Sequence, residues 1–212
     1  MKILVTGFEP FNGGTINPSE QIVYRLQAPE GVNLIKVILP VEFKLSTVRL
    51  QELFQTHQPD MVLSIGQAGG RAEISVERVA INLDSVKSSN GSKFLPDNAG
   101  DMPVDEPIEA DGAAAYFSTL PIWEMVEAIQ KKGINAAVSY TAGTYVCNHV
   151  MYENLYQAAV HFPEMKAGFI HVPFLPEQIA DRADKDRLAA MPLEDMVTAL
   201  QAVLEVLAGI EV

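Results

Sequence analysis

Short apolar runs rich in β-branched residues alternate with amphipathic stretches along this chain of 212 residues. The runs have the length of single strands, and the stretches between several of them are long enough to form helices. Strands are predicted at 3–6, 33–39, 61–65, 74–82, 136–139 and 168–171. Helices are predicted at 19–26, 45–57, 120–132, 148–160 and 191–207. This alternation predicts an α/β fold with a largely parallel sheet that helices cover on both faces.

The length of the chain fits one domain, 1–212, better than two. Within it, the stretch 84–111 is rich in Ser, Asn, Gly, Pro and Asp, which predicts a long surface loop. A loop of this kind either borders a functional site or forms a solvated insertion, and the sequence leaves both possibilities open.

Charge and hydropathy exclude several classes of function. The net charge is −12 and no cluster of Lys or Arg occurs, so neither a nucleic acid nor an anionic membrane is an expected partner. No apolar stretch reaches the roughly 18 residues that cross a bilayer. The first residues run into a predicted strand without the features of a signal peptide, so we expect a cytoplasmic protein.

The single cysteine, Cys147, lies between a predicted strand and a predicted helix, after a turn of small residues. One cysteine excludes an internal disulfide and a cysteine-based metal site. Free amides and the positive dipole end of the helix are expected to lower the thiol pKa and to hold a developing oxyanion. By residue type alone, a lone cysteine is more often a small buried hydrophobe.

A cysteine nucleophile requires a base and a group that orients the base. His171 ends a predicted strand, where functional groups of α/β sheets gather, although a core histidine is the alternative. Glu77 lies in an apolar run, so its burial requires a partner, and a simple pair with Arg78 is the alternative. His149 is expected to be structural, and His57 and His161 are expected at the surface or at helix ends.

The glycine-rich stretch 66–71 follows a predicted strand, but it lacks the Gly-Lys-Ser/Thr ending of a phosphate loop and the Gly-x-Gly-x-x-Gly spacing of a dinucleotide site. No His-x-x-x-His or carboxylate cluster has metal-ligand spacing either. We therefore expect neither a cofactor nor a metal.

Two stretches of the chain resemble the pyroglutamyl peptidase I family, also called pyrrolidone carboxyl peptidases. One runs from Gly66-Gln67-Ala68-Gly69-Gly70 through Glu77-Arg78-Val79-Ala80 to Asn82, and the other from Ser139 to Asn148 around Cys147. Shorter stretches that are similar to the family lie at 6–11, 17–19, 115–121 and 169–173. The likeness keeps its order and spacing from the first residues to the last predicted helix.

The resemblance implies a cysteine peptidase that removes an N-terminal pyroglutamyl (5-oxoprolyl) residue from peptides through a thioester. By position, Cys147 matches the nucleophile, His171 the general base and Glu77 the third member of the triad. It also implies a three-layer α/β/α sandwich with a mixed sheet, and a homotetramer. The positions that match the substrate pocket are Phe8, Phe11, Asn17, Gln67, Tyr145 and Val146.

The sequence departs from the family pattern at three places. Asn12 is inserted before Gly13, and Tyr145 stands where a phenylalanine is usual. After Asn82 the chain lacks an arginine that the family carries near its active site, and it has about seven extra residues near 87–95. Lys87 or Lys93 is a candidate to supply the charge, although lysine does not reproduce a guanidinium fork.

Two other classes of function stay open at this point. A protein that binds lactam-capped peptides without cleaving them is compatible with the missing arginine and the extra loop residues. An α/β enzyme of the nucleoside phosphorylase kind is suggested by the glycine-rich stretch alone.

Overall fold

A computed structural model describes residues 1–87 and 94–210 of the chain. The strands are β1 (Lys2–Phe8), β2 (Asn33–Leu39), β3 (Met61–Gln67), β4 (Ile74–Glu77), β5 (Val79–Ile81), β6 (Ala115–Phe117), β7 (Ala136–Ser139) and β8 (Lys166–Val172). The helices are α1 (Pro18–Arg25), α2 (Phe43–His57), α3 (Ile122–Lys131), α4 (Val146–Val160), α5 (Pro176–Ile179) and α6 (Leu193–Leu207), with a 3-10 helix at Lys185–Arg187.

Six strands form one mixed sheet in the order β2-β1-β3-β8-β4-β7. The first four are mutually parallel, and β4 and β7 are parallel to each other but antiparallel to β8. The short strands β5 and β6 form a separate antiparallel pair. The α/β class with a mixed, largely parallel central sheet is therefore confirmed.

Helices cover both faces of the sheet because successive strand residues point to opposite sides. Buried side chains of α1, α3 and α6 form one apolar core, to which β8 contributes Ile170 and Val172. Buried side chains of α2 and α4 form the other core, to which β8 contributes Phe169. His171 alternates with Ile170 and therefore lies on the face that α2 and α4 cover.

Helix α4 is buried around most of its circumference, because its outer side is covered as well as its inner side. The Asn148 amide bonds the backbone of Ile81 and Leu83, and the Tyr152 hydroxyl donates to Ala113 O. These contacts fix both the position and the rotation of α4, and so they fix the side chain of Cys147 in its first turn.

The predicted strand 74–82 is wrong as one element, since the structure divides it at Arg78 into β4 and β5. The predicted alternative of a Glu77–Arg78 pair is wrong as well. Glu77 turns towards β8, whereas the Arg78 guanidinium bonds Ser118 O and lies 4.6 Å from the Phe117 ring centroid. The two adjacent charges thus find partners on opposite sides of the chain.

The remaining differences are small. Helix α2 begins two residues before the predicted start, where the Phe43 amide donates to the carboxylate of Asp97. Pro121 precedes α3 rather than lying in its first turn. The short elements β6 and α5 were not predicted because each has too few residues to show a periodicity.

Part of the predicted loop 84–111 contacts the residues just before α4 and just after β1. Tyr145 Oη donates to Pro96 O, and the Asn98 amide bonds Glu9 and Pro10. Most of the extra residues near 87–95, including Lys93, lie outside the described residues. Over the described ranges, no helix combines the length and apolar character that crossing a membrane requires.

Candidate active site

The thiol of Cys147 lies in the first turn of α4, at the end of the helix where backbone amides have no intrahelical partner. Tyr145 precedes the helix in extended conformation and makes no side-chain cap. In the part of the chain that the structure describes, the Val146, Cys147 and Asn148 amides donate to no other group. Several free amide donors therefore lie in the same helical turn as the sulfur.

Gly66 allows the N-terminal end of α4 to pack closely against the sheet. It is the residue of β3 that pairs with His171 of β8. A Cβ atom on Gly66 would lie 2.9 Å from Cys147 Sγ and 2.7 Å from the Phe169 ring, which is closer than real contacts allow. The absence of a side chain here lets the thiol approach the backbone next to His171.

His171 and Glu77 meet across the antiparallel pair of β8 and β4. Glu77 is opposite Phe169 and Ser75 is opposite His171, so Glu77 and His171 are diagonal neighbours on one face. His171 Nδ1 lies 2.7 Å from Glu77 Oε1. Both side chains are buried, at 3% and 0% exposure, so solvent screens the interaction between them only weakly.

The directions in which the pKa values of Glu77 and His171 shift indicate where the proton of this pair lies. Burial opposes ionisation of Glu77, but the hydrogen bond and charge of His171 together with Arg71 hold the pKa of Glu77 below its ordinary value. Burial lowers the pKa of His171, and Arg71 adds to this effect, while Glu77 acts against it. An ionised carboxylate beside a neutral imidazole requires the proton on Nδ1, which leaves Nε2 free to accept one.

The environment of Cys147 favours the neutral form of its thiol. Burial, with a smaller contribution from the charge of Glu77, raises its pKa from the ordinary 9.0 to about 12, and Arg71 only partly offsets this. The direction is opposite to the one expected from the helix end alone. The residue as a whole nevertheless keeps some solvent contact, so a ligand has access to the sulfur.

Arg71 was not predicted as a site residue. Its guanidinium lies 2.6 Å from Glu77 Oε1 and also bonds Ser139 Oγ and Thr141 O, so it joins the turn before Cys147 to the Glu77 carboxylate. The signal in the sequence was a charged residue that ends a glycine-rich stretch six positions before Glu77. Lys87 is exposed and does not line the cavity, so among the described residues it is Arg71 that brings positive charge to it.

An apolar cavity of about 290 Å³ opens over the thiol. Cys147, His171 and Arg71 lie on its wall, together with Leu95 from the loop 84–111. All six side chains predicted for the pocket line this cavity: Phe8, Phe11, Asn17, Gln67, Tyr145 and Val146. Phe11 and Tyr145 form a tilted ring pair with centroids 6.3 Å apart. The shape and lining suit a small, flat and weakly polar group.

The two side-chain amides that line the cavity, those of Asn17 and Gln67, differ in whether they have an unpaired hydrogen-bonding group. Asn17 is the N-cap of α1: its oxygen accepts from the Ser19 amide and hydroxyl, and its nitrogen donates to Glu9 O. Gln67 Oε1 accepts from Gln178 Nε2 at 2.9 Å, whereas its own amide nitrogen has no partner among the described residues. Gln67 therefore presents a free donor to a ligand.

The other histidines lie away from the thiol. His149 is buried between Asp84 and Thr47, His57 is in the last turn of α2, and His161 is the C-cap of α4. Across the described ranges, no group of three or more His, Cys, Asp or Glu side chains has the arrangement of a metal site.

An α/β fold that holds a cysteine at a helix N-terminus beside a carboxylate-bound histidine defines a thiol hydrolase. The family model described as pyroglutamyl peptidase matches residues 1–209. The chain belongs to the pyroglutamyl peptidase family, a family of cysteine peptidases.

The similarity extends over nearly the whole length of the known proteins. A pyrrolidone-carboxylate peptidase of Streptococcus suis is 48% identical over 205 residues, which are 96% of this chain and 91% of that protein. The solved pyrrolidone carboxyl peptidase of Fervidobacterium islandicum is 42% identical, with a TM-score of 0.92 and 99% of both chains covered. Pyroglutamyl peptidase I of Bacillus amyloliquefaciens is 43% identical, with a TM-score of 0.88 and coverages of 96% and 92%.

Proposed function

We propose that Cys147, His171 and Glu77 carry out the hydrolysis of N-terminal pyroglutamyl peptides, with Cys147 as nucleophile, His171 as general acid and base, and Glu77 as the group that orients His171. The observation that carries this assignment is the buried hydrogen bond from His171 Nδ1 to Glu77, with both His171 and the Cys147 thiol on the wall of one cavity. Peptides as substrates agree with the family to which the chain belongs.

The first step transfers the thiol proton to His171 Nε2 while the sulfur attacks the pyroglutamyl carbonyl carbon. Because burial raises the pKa of Cys147 to about 12 and lowers that of His171, a stable ion pair is unfavourable before substrate binds. The ionised Glu77 stabilises the imidazolium that forms.

The next steps return the proton. The unpartnered amides at the start of α4 and the free Gln67 amide are the donors available for the negative oxygen of the tetrahedral intermediate. When the C–N bond breaks, the imidazolium protonates the leaving amine and a thioester remains on Cys147. Water then attacks the thioester with His171 as base, which releases pyroglutamate and restores the thiol.

The cavity explains selection for a blocked N-terminus. A lactam ring is flat and uncharged, so it fits beside Phe11 and Tyr145 and needs few polar partners. A free α-ammonium would lose its hydration in the same cavity, at a cost of several kcal/mol without a partner. We propose Phe8, Phe11, Asn17, Gln67, Tyr145 and Val146 as its pocket, with Asn17 acting mainly through the α1 cap.

Two further properties follow from the chemistry and from the family resemblance. A catalytic cysteine has to stay reduced, which favours the cytoplasm as the compartment. The resemblance also implies a homotetramer, which light scattering at several concentrations measures directly.

The experiment is release of a fluorescent amine from a pyroglutamyl amide under reducing conditions. The wild type and Cys147→Ala are compared, and a prolyl amide serves as the substrate control because it has the same ring size but a charged nitrogen. We expect turnover of the pyroglutamyl amide by the wild type alone, and no turnover of the prolyl amide. Full activity in Cys147→Ala would overturn the assignment, and saturable binding by a folded, inactive wild type would favour a binding protein.

A further inference from the structure

A second cavity, of about 650 Å³, adjoins the one over Cys147. The two share Phe11 and Gln67, which form the partition between them. The far wall of the second cavity comes from α5 and the residues after it, with Glu177, Asp181 and Arg182. The near wall includes the backbone of 12–16, where this chain carries its inserted Asn12.

The second cavity borders the end of β8, just after His171. His171 has to reach the leaving amine to protonate it, so the peptide beyond the scissile bond passes His171. Gln67 lies on the partition and pairs with Val172, the residue after His171. Phe174, two positions after Val172, lines the second cavity. A Cβ atom on Gly69 would overlap the Phe174 ring, so this wall is closely fitted.

The partition is held in place by Gln178. Its amide nitrogen donates to Gln67 Oε1 at 2.9 Å and to Ile16 O at 3.3 Å, while its oxygen accepts from the Leu175 amide. One side chain therefore links α5, the loop before α1 and the end of β3. The boundary between a lactam pocket and its neighbour is thus preorganised rather than flexible.

The charge on the far wall is negative. Neither Glu177 nor Asp181 has an ion-pair partner in the described part of the chain, and both are exposed. The guanidinium of Arg182 is occupied by Asp184, with bonds of 2.9 and 3.1 Å. Two carboxylates are therefore left to interact with whatever enters the cavity.

We propose that this second cavity receives the residue that follows pyroglutamate, and that Glu177 and Asp181 make the enzyme favour a basic side chain there. The inference rests on the proposed function, because it concerns the leaving part of the same substrate. Exposed carboxylates act through a solvent-screened field, so the preference is moderate and decreases with ionic strength.

The test compares kcat/KM for three peptides that differ only after pyroglutamate: pGlu-Lys-Ala, pGlu-Ala-Ala and pGlu-Glu-Ala. At low salt we expect the Lys peptide to exceed the Glu peptide by about tenfold. The double variant Glu177→Gln/Asp181→Asn is expected to reduce this ratio to about twofold. A matched control, Glu30→Gln/Glu164→Gln, changes the net charge equally at exposed sites outside both cavities and is expected to keep the ratio.

The outcomes separate this inference from the proposed function. No cleavage of any pyroglutamyl substrate would overturn the proposed function itself. Cleavage of all three peptides at equal rates would overturn the charge preference while leaving the function intact. A preference that survives in the Glu177→Gln/Asp181→Asn variant, or that disappears in the control variant as well, would show that the second cavity is not its origin.

Discussion

The described part of the chain contains two buried histidine–carboxylate pairs of nearly equal geometry, both on the face of the sheet that α2 and α4 cover. His171 Nδ1 lies 2.7 Å from Glu77, and His149 Nδ1 lies 2.8 Å from Asp84. Both histidines are almost fully buried. A search for buried acid–histidine pairs alone would therefore return two candidate sites.

The pairs differ at the other ring nitrogen. His149 Nε2 lies 2.6 Å from Thr47 Oγ1, so that ring joins α4 to α2 and has no free nitrogen. His171 Nε2 has no partner among the described residues, and its ring faces the cavity that Cys147 lines. The carboxylates differ as well, since Glu77 also binds Arg71 whereas Asp84 has no second ion-pair partner in the described ranges. A buried pair becomes a candidate for catalysis only where one ring nitrogen remains free beside a nucleophile.

The largest expected contrast is between the two histidines. We expect His171→Gln to reduce kcat/KM on a pyroglutamyl amide by about a thousandfold or more, because no base remains for the thiol proton. We expect His149→Gln to keep the activity within about threefold and to lower the free energy of unfolding by about 1–3 kcal/mol. Enzyme assays and urea titrations of both variants measure this contrast, and equal loss of activity in two folded variants would contradict it.

The carboxylates give a smaller contrast of the same kind. Glu77→Gln keeps the size of the side chain but removes the charge that orients His171 and stabilises its protonated form. We expect a loss in kcat of about a hundredfold to a thousandfold with KM little changed. Asp84→Asn is the matched variant, and we expect its effect to appear in thermal unfolding rather than in kcat. A Glu77→Gln enzyme with the kcat of the wild type would remove Glu77 from the mechanism.

Arg71 tests the feature that the His171–Glu77 pair has and the His149–Asp84 pair lacks. Its charge lowers the pKa of both His171 and Cys147, so its removal raises both. Activity requires neutral His171, so the acidic limb of kcat/KM is expected to move to higher pH in Arg71→Gln. We also expect kcat to fall about tenfold. Arg71→Lys keeps the charge without the fork, so we expect its acidic limb to stay near that of the wild type while kcat still falls.

A pH profile of the three enzymes decides the role of Arg71. Unchanged limbs with lower activity in Arg71→Gln would mean that Arg71 holds Glu77 and the turn before Cys147 in place without tuning His171.

Much of the fold was predictable because its signals are local. Strands such as β2 and β7 have the predicted bounds, and α1, α2, α4 and α6 lie within two residues of the predicted ones, since apolar periodicity reflects which face is buried. The break at Arg78 was not predictable, because it depends on Glu77 and Arg78 finding partners on other elements. Arg71 was missed because no local pattern shows that its guanidinium turns both to Glu77, six positions further on, and to Thr141, 70 positions further on.

By itself the sequence determined the class of fold, the family, and the three side chains proposed for catalysis, because residue type and order along the chain carry that information. Only the tertiary structure decided which histidine keeps a free nitrogen, since that depends on Thr47 meeting His149 and on Gly66 admitting Cys147 beside His171. It also decided that burial raises the pKa of the Cys147 thiol, because that effect depends on how the folded chain packs around the sulfur.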